Sequence, residues 1–438
     1  MPRRSLLPAC VLLLALCNGA WSQQAVPAEP VETTALVDAI RQALAHDPEV
    51  RQARSQVDAA RAQQRQARSR WFPNVGLSAV GGRADVIDLG QDFERRTGRT
   101  EAYARLNLFN GGADLALSRA SGHEHQASQL ELARVLNDAA ERTAQTYFEA
   151  LRQQTLARNA GERLADVQKL AADVDRLVNS GKSPESDRHA AQASVADAQI
   201  ALHSAQLDAN LARRRLTLLM GAQPGALIEP ALPEVPVQQA LDDLPGVASG
   251  SNPGWLASRE RALSARTRLG IVQPELLPRV DVEWRRVLKD TTFPVSSSST
   301  QKSWSVNLAY DMPLGGATFA RRDEGLAQAA AADGEADRIA QQVELDVNDA
   351  LTDLHRAQQA RPIYQRQVRH LEAVVAASTL QYTAGRRDLI DLIAVRDAPF
   401  VVRQKLADTA QRQQAASVRY WARSGRLLPV LGLSDLIP

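Results

Sequence analysis

The chain has 438 residues, with 52 Lys+Arg against 50 Asp+Glu and a formal net charge of +2. That near-balance excludes a nucleic-acid binder that works by neutralising many phosphates. Hydrophobic residues make up 44% but aromatics only 4%, and mean hydropathy is −0.29, so Ala, Leu and Val carry the apolar content among many Gln and Arg. This is the composition of long helices and excludes a helical membrane protein.

Residues 1–22 are expected to be a secretory signal. Arg3 and Arg4 precede an apolar run from Val11 to Leu16, and Ala20 and Ser22 supply small residues for cleavage. The run is too short to span a bilayer. Cys17 raises a lipoprotein site, but Leu16 before it is large where a small residue is wanted. Removing the segment takes away Cys10 and Cys17 and leaves 50 basic and 50 acidic groups. A cysteine-free exported chain fits a bacterial periplasm or outer membrane, and no disulfide or thiolate chemistry is available to it.

One unit is then written twice. Asp47-Pro48 opens a helical stretch that ends at Trp71-Phe72-Pro73, and Asn252-Pro253 opens another that ends at Leu276-Leu277-Pro278. The prolines are 25 residues apart in both. Leu108-Phe109-Asn110-Gly111-Gly112-Ala113 is answered by Pro313-Leu314-Gly315-Gly316-Ala317, and Ser180-Gly181-Lys182 by Ala384-Gly385-Arg386. The offset is 205 at the prolines and 204 at the later glycines, giving two domains over 23–250 and 251–438.

Each unit is expected to hold, in order, a capped helix, two strands, a very long helix, a Gly-centred break and a return helix. Asp47 and Asn252 are the caps, with proline at the first helical position. Strands are expected at about 74–82 and 101–109, then at about 279–287 and 303–312. Val280, Val282 and Trp284 alternate with Asp281, Glu283 and Arg285. After Ser296 to Ser299, Trp304, Val306, Leu308 and Tyr310 alternate with Ser305, Asn307, Ala309 and Asp311. Val75, Leu77 and Ala79, and Ala102, Ala104, Leu106 and Leu108, form the corresponding faces in the first unit. Such a sheet lays one face either on a soluble core or against lipid. Four strands cannot close a membrane barrel, whose smallest examples have eight, so a lipid-facing sheet needs several chains.

The first long helix is expected from Gly112 to about Val178, which is roughly 100 Å at 1.5 Å per residue. The second runs from about Thr318 to Gln381 and contains Pro362, where a bend is expected. Return helices are expected at 184–220 and 388–422, with breaks at 178–187 and 382–391. Helix 253–272 is expected to stack end to end on the first return helix, and helix 48–70 to complete the second. The Pro- and Gly-rich stretch 221–250 would bulge out at mid-height. Rods of this length pack laterally, in a bundle or coiled coil; a purely structural coiled coil is an open alternative on pattern alone.

No chemistry is expected. Ser180-Gly181-Lys182-Ser183 resembles the end of a phosphate loop, but Arg176 stands where the first glycine belongs. His123 and His125 fall on different helix faces, and the other histidines are scattered. Nucleophile elbows, paired-His motifs and dinucleotide fingerprints are absent, so no enzyme activity, cofactor or metal is expected.

Together the Asp-Pro opening, the proline-ended helices before strands, the Leu-Phe-Asn-Gly-Gly turn and the Tyr382-Thr383-Ala384-Gly385 break resemble the TolC-type outer-membrane efflux proteins, over nearly all of 34–425. The resemblance implies an α protein with a small β part: long helical hairpins forming a periplasmic α-barrel, and four transmembrane strands per chain. It further implies a homotrimer with one 12-stranded barrel in the outer-membrane lipid, extending into the periplasm. A periplasmic adaptor (membrane fusion protein) and an inner-membrane pump of ABC, RND or MFS type would load it with small molecules or secreted proteins. The competing reading, a periplasmic scaffold or adaptor without its own pore, would carry one helical hairpin rather than two.

By the same resemblance, Asp187 and Tyr382 match a closing hydrogen bond between hairpins, and Arg387 matches a basic position bonding the other hairpin near Ser186. Asp391 matches an acidic ring lining the aperture, and Ala394 stands where the family often has a second acid. Gly181, Lys182, Gly385 and Arg386 match the tips that meet the adaptor. The resemblance also makes Val280, Val282, Trp284, Trp304, Val306, Leu308 and Tyr310 lipid-facing.

Overall fold

The computed structural model describes residues 33–88, 91–242, 250–272, 277–290, 302–310 and 315–437. The expected signal segment, the Ser296–Ser299 loop and the Pro313-Leu314 turn lie outside the described residues. A short strand β1 (Thr33–Thr34) leads into α1 (Leu36–His46) and α2 (Pro48–Ser69). Strands β2 (Asn74–Asp88) and β3 (Gln91–Phe109) precede α3 (Ala113–Asn179) and α4 (Glu185–Met220). The connection β4 (Ala226–Leu227) and α5 (Val237–Asp242) leads to α6 (Pro253–Val272). Strands β5 (Arg279–Asp290) and β6 (Lys302–Ala309), then α7 (Ala317–Thr383), α8 (Leu389–Arg423) and α9 (Leu427–Val430), complete the second unit.

The same local chemistry starts and stops both copies. Asp47 Oδ1 accepts from the Glu49 and Val50 amides at 2.7 and 3.3 Å, ahead of Pro48. Asn252 Oδ1 accepts from the Trp255 amide at 2.9 Å, ahead of Pro253. Gly181 and Gly385 adopt φ of 71° and 69° at the hairpin tips. There the Lys182 amide bonds Leu177 O and the Arg386 amide bonds Gln381 O, both at 2.9 Å, which closes each long helix with a Schellman motif that only a left-handed residue permits cheaply.

α3 and α7 are each 67 residues, roughly 100 Å long. α7 stays helical through Pro362. The shorter helices stack in a different pairing from the expected one. α6 stands on α8: Asn252 Nδ2 donates to Arg423 O at 2.7 Å and Ser251 Oγ to Ser424 O at 2.6 Å. α2 starts above α4: His46, at the end of α1 just before the α2 cap, packs against Gly221 at the α4 C-terminus. The connection 221–252 explains the swap. It does not link two stacked helices; it crosses to α7, where Val235, Val237 and Ala240 pack on Val343, Val347 and Leu351. The chain then re-enters between α3 and α7.

The sheet has the order β2-β3-β5-β6 and is antiparallel throughout. β2 and β3 pair from Asn74↔Arg105 out to Asp88↔Gln91, well past the expected ends. Residues 83–96 carry no apolar alternation, so backbone pairing rather than side-chain pattern extends them. β6 ends at Ala309, short of the expected 312, with 311–314 outside the described residues. Among the described residues no helix is long and apolar enough to cross a membrane.

The main core lies at mid-height, where Leu36, Ile40, Leu136, Tyr147, Leu216, Leu427 and Leu428 are essentially buried. The Tyr147 hydroxyl lies 2.8 Å from Thr34 O and 2.7 Å from Ile228 O, and accepts the Ile228 amide at 3.0 Å. That fastens the β1–β4 pair onto α3. A second small core at the tip joins the two hairpins through Leu170, Val174, Tyr382, Leu389 and Leu392.

Candidate channel wall and gate

Register places the expected lipid-facing residues within β5 and β6 on one face; Tyr310 lies just past the end of β6. Val75, Ala104, Trp284 and Trp304 form one row across the sheet; Leu106, Val282 and Val306 form the next, and Val280 and Leu308 a third. On this face Leu77 and Trp304 are each 76% exposed and Leu308 is 70% exposed. Trp284, Val306 and Tyr310 are also exposed, and Val280 and Val282 are half-buried. The opposite face is polar and internally paired. Arg105 Nη2 donates to Glu283 Oε2 at 3.1 Å, Arg285 Nη2 to Glu283 Oε1 at 2.6 Å, and Asn107 Nδ2 to Asp281 Oδ1 at 2.8 Å. Tyr103 belongs to this face too, its ring lying over Gly76, where an added Cβ would meet the ring carbon and hydroxyl at 2.6 Å.

At mid-height the face of α3 opposite Tyr147 meets α7 and α8 through charge. Arg423 pairs with Glu141 at 3.2 Å, Asp346 at 3.8 Å and Asp138 at 3.9 Å. Arg419 reaches Asp353 at 3.5 Å and Glu141 at 3.9 Å. Glu141 is 4% exposed. Burial pushes its carboxyl above the ordinary range, against the pull of Arg423, and burial likewise raises Asp138. Glu131 is held below the ordinary range because Arg134 and Arg261 outweigh its own burial. Further down, Arg163 grips Asp397 with two 2.8 Å bonds and stacks over Phe400, tying α3 to α8.

The tip brings Asp187 and Tyr382 together through a third residue. Ser183 Oγ donates to Asp187 Oδ2 at 2.6 Å and lies 3.4 Å from the Tyr382 hydroxyl. Because the Ser183 proton is committed to the carboxylate, Tyr382 is the donor in the second contact. The direct Asp187–Tyr382 bond implied by resemblance is therefore replaced by a serine relay, since Ser183 in the turn sits between them. Within the chain, Arg387 turns back on its own hairpin and donates to Ser378 Oγ at 2.8 Å, away from the exposed Ser186. Arg387 lies in the bend between Gly385 and α8, from which it reaches back along α7. Asp391 is exposed in the first turn of α8, and Gly181, Lys182, Gly385 and Arg386 are exposed at the two tips. Among the described residues no cluster of His, Cys, Asp or Glu is arranged to hold a metal.

In the sequence Ser183 figures only as part of a rejected phosphate loop, and Ser378 and the Arg423 hub are not singled out. Their signal is faint: charged residues three and four apart on Ala-rich helices read as a solvated face.

Two long hairpins stacked with shorter helices, over a four-stranded sheet with one apolar face, define the class: a helical tunnel joined to part of a barrel. The chain belongs to the outer membrane efflux protein family, whose sequence pattern matches residues 39–222 and 244–421. Its fold and family are those of channel proteins of the outer membrane, not of enzymes. It is 25% identical over 301 residues to protein CyaE of Bordetella pertussis, covering 68% of this chain and 63% of CyaE, so it spans less than two thirds of that relative. Its fold is similar to a membrane protein from Pseudomonas aeruginosa (TM-score 0.79, 17% identity, 89% of this chain and 90% of that one). It is similar also to the outer membrane protein VceC of Vibrio cholerae (TM-score 0.78, 17% identity, 89% and 96%).

Proposed function

We propose that three copies of this chain form one outer-membrane duct, with a 12-stranded barrel continued by a periplasmic α-helical tunnel. It serves as the outer component of a tripartite efflux or type I secretion system, passing small molecules or proteins outward. A periplasmic adaptor would meet the tips around Gly181–Lys182 and Gly385–Arg386, and an inner-membrane pump would choose the substrate. The chain itself binds no cofactor and catalyses nothing. Residues 1–22 direct export, and 23–250 and 251–438 are the two halves of each subunit's wall.

The sheet carries this reading. One face leaves Leu77, Trp304 and Leu308 more than two-thirds exposed. Leaving such side chains in water forfeits about 1.5–3 kcal/mol each. Hydrocarbon removes that cost, and the ion-paired opposite face then borders water. The periplasmic scaffold alternative gives the apolar face no partner.

Purified protein reconstituted in planar bilayers is expected to pass discrete currents and to migrate on gels as a heat-modifiable trimer. Recovery as a detergent-free soluble monomer, with no current, overturns the proposal.

A further inference from the structure

Many arginines of the long helix α3 sit beside carboxylates, as Arg134, Arg142, Arg152 and Arg163 do. The upper part of α2 departs from this. Between residues 51 and 70 there are six arginines and one acid, Asp58. Arg61, Arg65 and Arg68, spaced four and three apart, form one stripe, and all three are exposed. None pairs with a carboxylate among the described residues. The stripe lies alongside Val50 and Val57, which belong to the mid-height core that β1 and β4 cover. Glu49 instead reaches Arg142, on the face of α3 opposite Tyr147. The arginines therefore point to the outer side of the wall, not into the bore.

Directly above them the helix ends in Trp71 and Phe72, 55% and 71% exposed, and the apolar sheet face begins with Val75 at 73%. Arg61 to Phe72 spans roughly 15 Å along the helix. Apolar strand, aromatic pair and cationic stripe thus follow one another in the order that hydrocarbon, interface and headgroup phosphate follow in a bilayer. Arginine's fork grips phosphate oxygens while its stem lies along apolar surface.

We propose that Arg61, Arg65 and Arg68, with Trp71, form a headgroup site for an anionic phospholipid of the periplasm-facing leaflet. The inference rests on the membrane-spanning reading above. The test is native mass spectrometry of the purified full-length protein exposed to phosphatidylglycerol or phosphatidylethanolamine, alongside bilayer recordings in zwitterionic lipid. Wild type is expected to retain phosphatidylglycerol preferentially, and Arg61→Gln/Arg65→Gln/Arg68→Gln to lose that preference by on the order of tenfold while conducting normally. Equal retention of both lipids by wild type, or unchanged preference in the variant, overturns the headgroup site and leaves the duct standing. Loss of the trimer by the variant in lipid-free detergent also overturns it, by assigning the stripe to the subunit interface. Absence of current from wild type defeats the duct reading instead, and this site with it.

Discussion

Glu141 shows how much one buried side chain sets in a wall made largely of solvated helices. It accepts a 2.8 Å bond from Gln145 and shares Arg423 with Asp138 and Asp346. Burial raises its carboxyl pKa above the unfolded value. The folded protein therefore binds a proton here more readily than the unfolded chain does. The resulting stabilisation is fully present below the unfolded carboxylate pKa and is lost as pH rises through the folded value. Glu141→Gln keeps the shape and cannot titrate. Melting temperatures measured from pH 7 to pH 5 are expected to rise for wild type relative to Glu141→Gln as the solution is acidified. A constant difference across that range would show that Glu141 stays charged throughout. The acid Glu131, nearly three turns away, moves in the opposite sense, because its lowered pKa makes its contribution fade on acidification.

The elements divide into those that local pattern specifies and those that it does not. Asp47-Pro48 and Asn252-Pro253 announce helix starts because the cap and the fixed proline φ act within four residues. The glycine breaks announce the hairpin tips for the same local reason, and strict alternation announces β5 and β6. Stacking is another matter. Whether α6 stands on α4 or on α8 depends on where residues 221–252 cross, and that path is set by Val235 and Val237 meeting α7, some hundred residues away in sequence. The outer parts of β2 and β3 were illegible because residues 83–96 carry no apolar alternation to announce a strand. At the tip, the Gly181 and Gly385 turns could be read, but the serine between Asp187 and Tyr382 could not, since its role exists only once both hairpins are side by side. Ser183→Ala deprives Asp187 of its donor and Tyr382 of its acceptor, leaving the apolar contacts of Leu170, Leu389 and Leu392 to hold the tips, with the Arg163–Asp397 pair joining the hairpins further up. Each lost bond is worth about 1 kcal/mol. In planar bilayers Ser183→Ala and Tyr382→Phe are expected to raise open probability or conductance alike. If neither does, the relay fixes the turn and takes no part in closure.

At the scale of the whole molecule, function depends on what a single chain cannot show alone. One wall segment offers a single exposed carboxylate in the first turn of α8, Asp391, with Ala394 almost one turn on. Threefold repetition would turn that into one ring of three negative charges, not the two successive rings often seen in the family. Like charges around a narrow opening lower the energy of a cation and raise that of an anion, with an effect that falls as salt screens it. The paired charges of the sheet, Arg105–Glu283–Arg285, partly cancel one another and so favour neither ion strongly. Asp391→Ala is therefore expected to lower the cation-to-anion permeability ratio by roughly threefold or more at low salt, and by less at high salt. Divalent cations should block wild type only weakly, because the ring stands alone, and should block the variant even less. Reversal potentials across a salt gradient decide the matter: if they are the same for wild type and Asp391→Ala, the constriction lies elsewhere along the bore, and the mid-height carboxylates Asp138 and Asp346 become the next place to substitute.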